Sequence, residues 1–142
     1  MVRIVLLLGF LACALPTHAC WQEAGSRYQI APALLYAIAR TESALNPAAS
    51  HRNHDGSVDI GLMQINSAWL PQLARHGISA RELWDPCTNI HVGAWVLAQQ
   101  ISKLGMTWNA VGAYNASTPL KRTKYAWKVY HNLAGANGLP QP

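Results

Sequence analysis

The sequence predicts a mainly α-helical, single-domain fold, and three observations carry that expectation. Ile90, Ala94, Leu97, Ile101 and Leu104 recur at four-three spacing between Asp85-Pro86 and Gly105. One face of a long helix is therefore apolar, with a cap-plus-proline start and a glycine stop. Leu34, Leu35, Ile38 and Ala39 form a second stripe behind Pro32, a residue suited to a first helical turn. No alternating run long enough to make a useful strand interrupts these segments.

The other elements follow from the same signals in chain order. A short helix is expected around Trp21 to Tyr28, and the Pro32 helix runs to Glu42 and is stopped by Asn46-Pro47. Ala48 to Val58, with His51, Asn53, His54, Asp55 and Gly56, reads as a polar surface loop. Another short helix is expected from near Ser67 to Arg75, stopping at Gly77. After the long helix, Thr107 caps a further one through Tyr114, and Thr118-Pro119 opens the last, which reaches about Leu133. Residues 135–142 read as a frayed tail.

The start of the chain has the order of an export signal: Arg3, an apolar run from Ile4 to Leu15, then Pro16-Thr17-His18-Ala19. About twelve apolar residues fall short of the roughly twenty of a membrane-spanning helix, so no stable span is expected and the leader, residues 1–19, should be cleaved after Ala19. A lipid anchor on Cys20 is the alternative, but the preceding residues lack Leu-Ala-Gly character. Removing the 19-residue leader from the 142-residue chain leaves 123 residues, 20–142, enough for one core. Cys13 leaves with the leader. The remaining pair, Cys20 and Cys87, reads as one disulfide in an exported protein, worth about 4 to 5 kcal/mol in the chain-entropy model.

Charge and motif spacing exclude several classes. Without Arg3 the formal charge falls from +5 to +4, with ten basic and six acidic residues. That surplus suits an anionic partner such as the cell-wall polymer, or leaves Lys121, Arg122, Lys124 and Lys128 as the solvated face of the last helix. Basic residues do not alternate with stacking aromatics in any nucleic-acid motif, so no nucleic-acid partner is expected. His51, His54, Asp55 and Asp59 share one stretch but lack the helical His-Glu-x-x-His pattern, and neither metal nor cofactor is expected. No Gly-x-Ser-x-Gly elbow is present. Trp69, Trp84, Trp95, Trp108 and Trp127 are able to stack on sugar rings, with core packing the favoured reading for most.

Glu23, Glu42, Asp55, Asp59, Glu82 and Asp85 are the six carboxylates left, and Glu42 alone shares an apolar face: it follows Leu35 by seven residues and Ile38 by four. Burial disfavours its charged form, the condition for a general acid near neutral pH. The competing reading is a helix-end glutamate facing solvent or paired with Arg40 or Arg52.

Four blocks together resemble the soluble lytic transglycosylase catalytic domain: Ala39 to Pro47 around Glu42, Gly61-Leu62-Met63-Gln64-Ile65-Asn66, Asp85-Pro86 with Asn89-Ile90 and Gly93-Ala94, and Ala113-Tyr114-Asn115-Ala116. The family's usual glycine after the last block is here Ser117. The resemblance implies a lysozyme-like fold, with helices around a central helix and a glycan-binding cleft. It implies cleavage of the β-1,4 bond between N-acetylmuramic acid and N-acetylglucosamine in peptidoglycan, with Glu42 as acid and then base and a 1,6-anhydro product. Ser43, Met63, Gln64, Asn66, Tyr114, Asn115 and Tyr125 are implied substrate-cleft residues, although Tyr125 also fits plain helix packing. The leader, the Cys20-Trp21 start and Cys87 are similar to small periplasmic members that accompany secretion, pilus or conjugation machines. Asp59 reads two ways: a second catalytic carboxylate, as in a hydrolytic lysozyme, or a loop anchor bonded to backbone N–H groups. A noncatalytic wall-binding assembly module is the rival from another class, and the intact Glu42 argues against it.

Overall fold

The structure, a computed structural model, describes residues 17–134, with only the backbone of Thr17 and His18; the leader's apolar run and the expected tail, 135–142, lie outside the described residues. Its elements are α1 (Thr17–Tyr28), α2 (Pro32–Ser43), β1 (Ser50–Arg52), β2 (Val58–Ile60), β3 (Ile65–Asn66), a short helical stretch containing α3 (Leu70–Leu73), α4 (Pro86–Leu104), α5 (Trp108–Ala113) and α6 (Pro119–Ala134).

The expected central helix is α4. Asp85 caps it by accepting a hydrogen bond from the Thr88 N–H at 2.8 Å, and Gly105 ends it at φ 71°. Ile90, Ala94 and Leu97 are fully buried, and so are Asn89, Val92, Gly93 and Val96 or nearly so. The buried arc is wider than the single stripe because α1, α2, α5 and the β3 region surround the helix. Ile101 and Leu104, at its outer end, are only half-buried. Helix α6 packs across α2 and α5, and Thr107 caps α5 by accepting from the Ala110 N–H at 3.2 Å.

Two expectations are corrected. The segment 48–58 is not wholly loop: β1 and β2 form an antiparallel hairpin that β3 extends to three strands, with His51 opposite Asp59 and Asp59 opposite Asn66. Strands of two or three residues lie below the length at which alternation is legible, and β1 is exposed throughout. They are held because Ile60 and Ile65 are paired in register and both buried. The second correction concerns the end of α2. It stops before Asn46-Pro47, at Ser43, because Ala44 (φ 53°) and Leu45 (φ 65°) turn left-handed.

Cys20 and Cys87 are disulfide-bonded with Cα atoms 5.4 Å apart, tying α1 to the first turn of α4. The bond spans 67 residues of sequence, so the chain-entropy contribution is about 4 kcal/mol. Thermal melts of a protein comprising residues 20–142, with and without reductant, should differ by roughly 15 °C. An unchanged midpoint on full reduction would show that α1 and α4 hold together without the link.

Candidate active site

An open cleft of about 650 Å³ runs between the hairpin and the start of the α5–α6 connection, and Glu42, Asp59, Gln64, Asn66, Tyr114 and Asn115 line it. Glu42 reaches it from the last turn of α2, half-buried, on the face its spacing from Leu35 and Ile38 predicts. Its carboxyl pKa is raised from 4.5 to about 7. Burial is the largest cause, and the negative charge of Asp59 pushes the same way; hydrogen bonding by Tyr125 and Asn115 and the positive charge of Lys128 pull it down. Tyr125, buried on α6, donates its phenolic O–H to Glu42 Oε1 at 2.5 Å. Tyr125 is thus packed on the core side, meeting Glu42 through its hydroxyl, and is not among the residues that line the cleft.

Tyr114 and Tyr125 stack with centroids 6.4 Å apart and planes 16° apart. Tyr114 donates its O–H to the Met63 carbonyl at 2.9 Å, bracing the cleft wall. Burial pushes both phenols well above their ordinary range, with the charge of Glu42 adding to it, so they serve as hydrogen-bond donors rather than acids.

Asp59 stands in β2 on the same cleft. Its Oδ2 accepts from Asn53 Nδ2 at 3.0 Å and its Oδ1 from Asn66 Nδ2 at 2.7 Å. Ser57 joins the network, its hydroxyl accepting from Asn53 and from Asn66 and donating to Asp55. The partners of Asp59 are side-chain amides, not the backbone N–H groups of the anchor reading.

Besides Tyr125, two further residues expected on the cleft are not among those that line it. Met63 is fully buried, packed against Gly93, where a Cβ would collide with its sulfur. Ser43 donates its hydroxyl to the Leu62 carbonyl at 2.6 Å and accepts from the Asn46 N–H at 3.1 Å, clamping the end of α2 to the 61–66 turn. Gln64 does line the cleft, at φ 51°, with its amide donating to the Ala49 and Gly61 carbonyls. With Ala44 and Leu45, that makes three left-handed non-glycine residues around the cleft, each costing roughly 1–2 kcal/mol. Trp69 lines the cleft and meets Trp95 edge-on at 5.2 Å; Trp84, Trp108 and Trp127 are substantially exposed, against the expected core packing.

Beneath the turn lies Asn89, whose organising role the sequence reading missed. Fully buried, it donates to the Ile60 carbonyl at 2.9 Å and the Leu83 carbonyl at 2.8 Å, and accepts from the Met63 N–H at 2.7 Å. Gly61, at φ 75°, lets the backbone come this close: a Cβ there would sit 2.5 Å from the Asn89 amide. Among the described residues no group of three or more His, Cys, Asp or Glu side chains is placed to hold a metal ion.

By its fold the chain falls among lysozyme-like domains. It aligns with a lytic transglycosylase Slt from Pseudomonas aeruginosa, solved as an inactive glutamate-to-glutamine mutant, at a TM-score of 0.69 and 24% identity, covering 88% of this chain and 25% of that one. The chain belongs to the transglycosylase SLT domain family, whose model matches residues 19–129. It is 45% identical over 125 residues to the invasion protein IagB of Salmonella typhimurium strain SL1344, covering 84% of this chain and 78% of that protein. It is 41% identical over 135 residues to the protein IpgF of Shigella flexneri, covering 92% and 89%.

Two outcomes test the geometry. Asn89→Ala strands three buried backbone groups and should destabilise the fold by about 3 kcal/mol or more, read as a loss in chemical denaturation. Glu42 binds its proton more tightly folded than unfolded, so its contribution to stability is complete below pH 4.5 and is lost as pH rises through about 7. Glu42→Gln should therefore gain stability relative to the parent between pH 5 and pH 8, with no gain at pH 4; parallel melting curves at all pH values contradict the burial assigned to this carboxyl.

Proposed function

We propose that this protein is a peptidoglycan lytic transglycosylase that cleaves the β-1,4 bond between N-acetylmuramic acid and N-acetylglucosamine without water. The observation that carries this reading is the Glu42 carboxyl, half-buried, with a pKa of about 7 and hydrogen-bonded to Tyr125 in an open cleft. Membership of the transglycosylase SLT family supports it.

Near neutral pH a large share of Glu42 is protonated and able to deliver a proton to the departing glycosidic oxygen. As that bond breaks, positive charge grows on the muramic acid ring, where the substrate's own acetamido oxygen can capture it. The Glu42 carboxylate just formed then takes the proton of the C6 hydroxyl, whose oxygen closes the 1,6-anhydro ring. The proton returns to Glu42, no water is consumed, and one carboxyl performs both steps. Asp59 enters as a fixed negative charge that favours the developing cation. Both of its oxygens already accept amide hydrogen bonds, which suits an electrostatic role better than a nucleophilic one. Tyr125 holds the acid in place, and Gln64, Asn66, Tyr114 and Asn115 face the glycan strand.

A second reading, hydrolysis by a lysozyme-type pair, is favoured by one observation: Glu42 and Asp59 line the same cleft. We place the enzyme in the periplasm after export and cleavage at Ala19. The disulfide supports that compartment, and among the described residues no helix is long and apolar enough to cross a membrane. Local opening of the wall for an envelope-spanning machine is the role proposed for it, and the likeness to a protein named for invasion supports that role.

Purified sacculi digested with the mature protein should release fragments ending in 1,6-anhydro-muramic acid, each one water lighter by mass spectrometry than the hydrolytic product. Glu42→Gln should lose about 10³-fold or more in rate. Asp59→Asn should slow the reaction while leaving anhydro ends; reducing ends from the parent protein would establish the lysozyme reading instead. Tyr125→Phe removes a contact that lowers the Glu42 pKa, so the alkaline fall in rate, near pH 7 in the parent, should move to higher pH.

A further inference from the structure

A second groove, of about 450 Å³, lies between α5 and α6, lined by Trp108, Asn109, Thr123, Ala126, Trp127 and Tyr130. It shares no lining residue with the catalytic cleft. Tyr130 meets Trp108 and Trp127 edge-on at 5.6 Å each, nearly perpendicular to both rings. Trp108 is 44% exposed, Trp127 57% and Tyr130 45%, so three aromatic rings that the core does not use stand together in water. An aromatic cluster of this kind marks a binding surface.

The chemistry of the groove narrows the occupant. Its wall is mixed: two indoles and a phenol offer faces on which the axial C–H groups of a pyranose ring pack, and the Asn109 amide and Thr123 hydroxyl lie beside them for ring hydroxyl or acetamido groups. Charge narrows it further. From Pro86 to the end of the sequence there is no Asp or Glu, whereas Lys103, Lys121, Arg122, Lys124 and Lys128 all fall there. Lys124, three residues before Trp127 on α6 and next to the lining residue Thr123, is exposed, whereas the charge of Lys128 also acts on Glu42. A basic ligand is disfavoured, and one carrying sugar rings and carboxylates is complemented at both levels. We infer that this groove is a second, noncatalytic glycan site, which takes a segment of peptidoglycan by stacking its sugars on Trp108 and Trp127 while Lys124 meets a stem-peptide carboxylate. This rests on the peptidoglycan reading of the cleft and adds an anchoring site that holds the enzyme on insoluble wall.

The test uses the Glu42→Gln protein, which does not consume its ligand, and a muramic-acid-containing tetrasaccharide with its stem peptides, followed through the indole N–H resonances. Trp108 and Trp127 should shift on titration, as should Trp69 in the cleft, with separate saturation curves. If Trp69 responds to saturation while Trp108 and Trp127 stay fixed, the groove is not a glycan site and the inference falls, although the cleft reading stands. If no indole responds, the peptidoglycan reading itself fails, and this inference with it. In cosedimentation with sacculi, Trp108→Ala/Trp127→Ala in the same background should bind about tenfold more weakly, and Trp84→Ala, at an exposed tryptophan elsewhere, should bind like the parent. The milder Trp127→Phe should lie between them, which separates loss of stacking from loss of fold. Undiminished sacculus binding by the double variant would also overturn the inference, leaving the groove to an acidic protein partner or, if the variant alters sedimentation of the free protein, to a second copy of this chain.

Discussion

A proton held on one carboxyl is the constraint around which the rest of this structure is arranged. Water would stabilise the anion of Glu42 and remove that proton well below neutral pH. Burial opposes ionisation, the charge of Asp59 adds to the opposition, and the phenol of Tyr125 limits it by donating to the same oxygen. On the proposed mechanism the result, a pKa of about 7, is a compromise between the two tasks given to one residue. An acid too strongly shifted would be a poor donor, and the same group must next act as a base. Tyr125 thus fixes the position of the carboxyl and also keeps its proton transferable.

Holding that carboxyl at a cleft edge requires the backbone on the facing side to pass close to α4, and the packing there shows how this is achieved. Asn89 replaces with one side chain the partners that the Ile60 and Leu83 carbonyls and the Met63 N–H would otherwise seek in water. Gly61 and Gly93 remove the two Cβ atoms that would hold the turn off the helix. Met63 and Ser43 then act from behind: one fills the space over Gly93, the other ties Leu62 to the end of α2. The left-handed Ala44, Leu45 and Gln64 are the strained points of this arrangement.

The helices were legible in the sequence because their signals are local: Asp85-Pro86, Thr107 and the four-three apolar spacing each act within a few residues. Glu42 was legible for the same reason, since its neighbours at four and seven residues lie on its own helix. The hairpin was not, because strands of three residues have no readable period and are held by pairing across the chain. Everything depending on its register was hidden with it, including the placing of Asn53 and Asn66 on the two oxygens of Asp59. The motif containing Met63 was recognisable, but resemblance marks that a residue is kept, not which way its side chain points. Met63 serves the cleft from the core, and no sequence signal separates that from a wall position.

The distribution of charge joins the two halves of the molecule in one physical scheme. All six Asp and Glu side chains of the sequence precede Pro86, and those of Glu42, Asp55 and Asp59 line the cleft, where the charge of Asp59 raises the Glu42 pKa and, on the proposed mechanism, favours a cationic sugar. That charge would by itself repel an anionic polymer. On the proposed reading, the segment from Pro86 onward, without a single Asp or Glu and with Lys121 and Lys124 exposed on α6, supplies an opposing attraction beside the second groove. Neutralising the cleft would improve binding and weaken the chemistry. On the proposed reading, stacking on the rings of the second groove adds affinity for the wall without touching Glu42, whereas Lys128, which lowers the Glu42 pKa, ties part of the α6 charge to the acid.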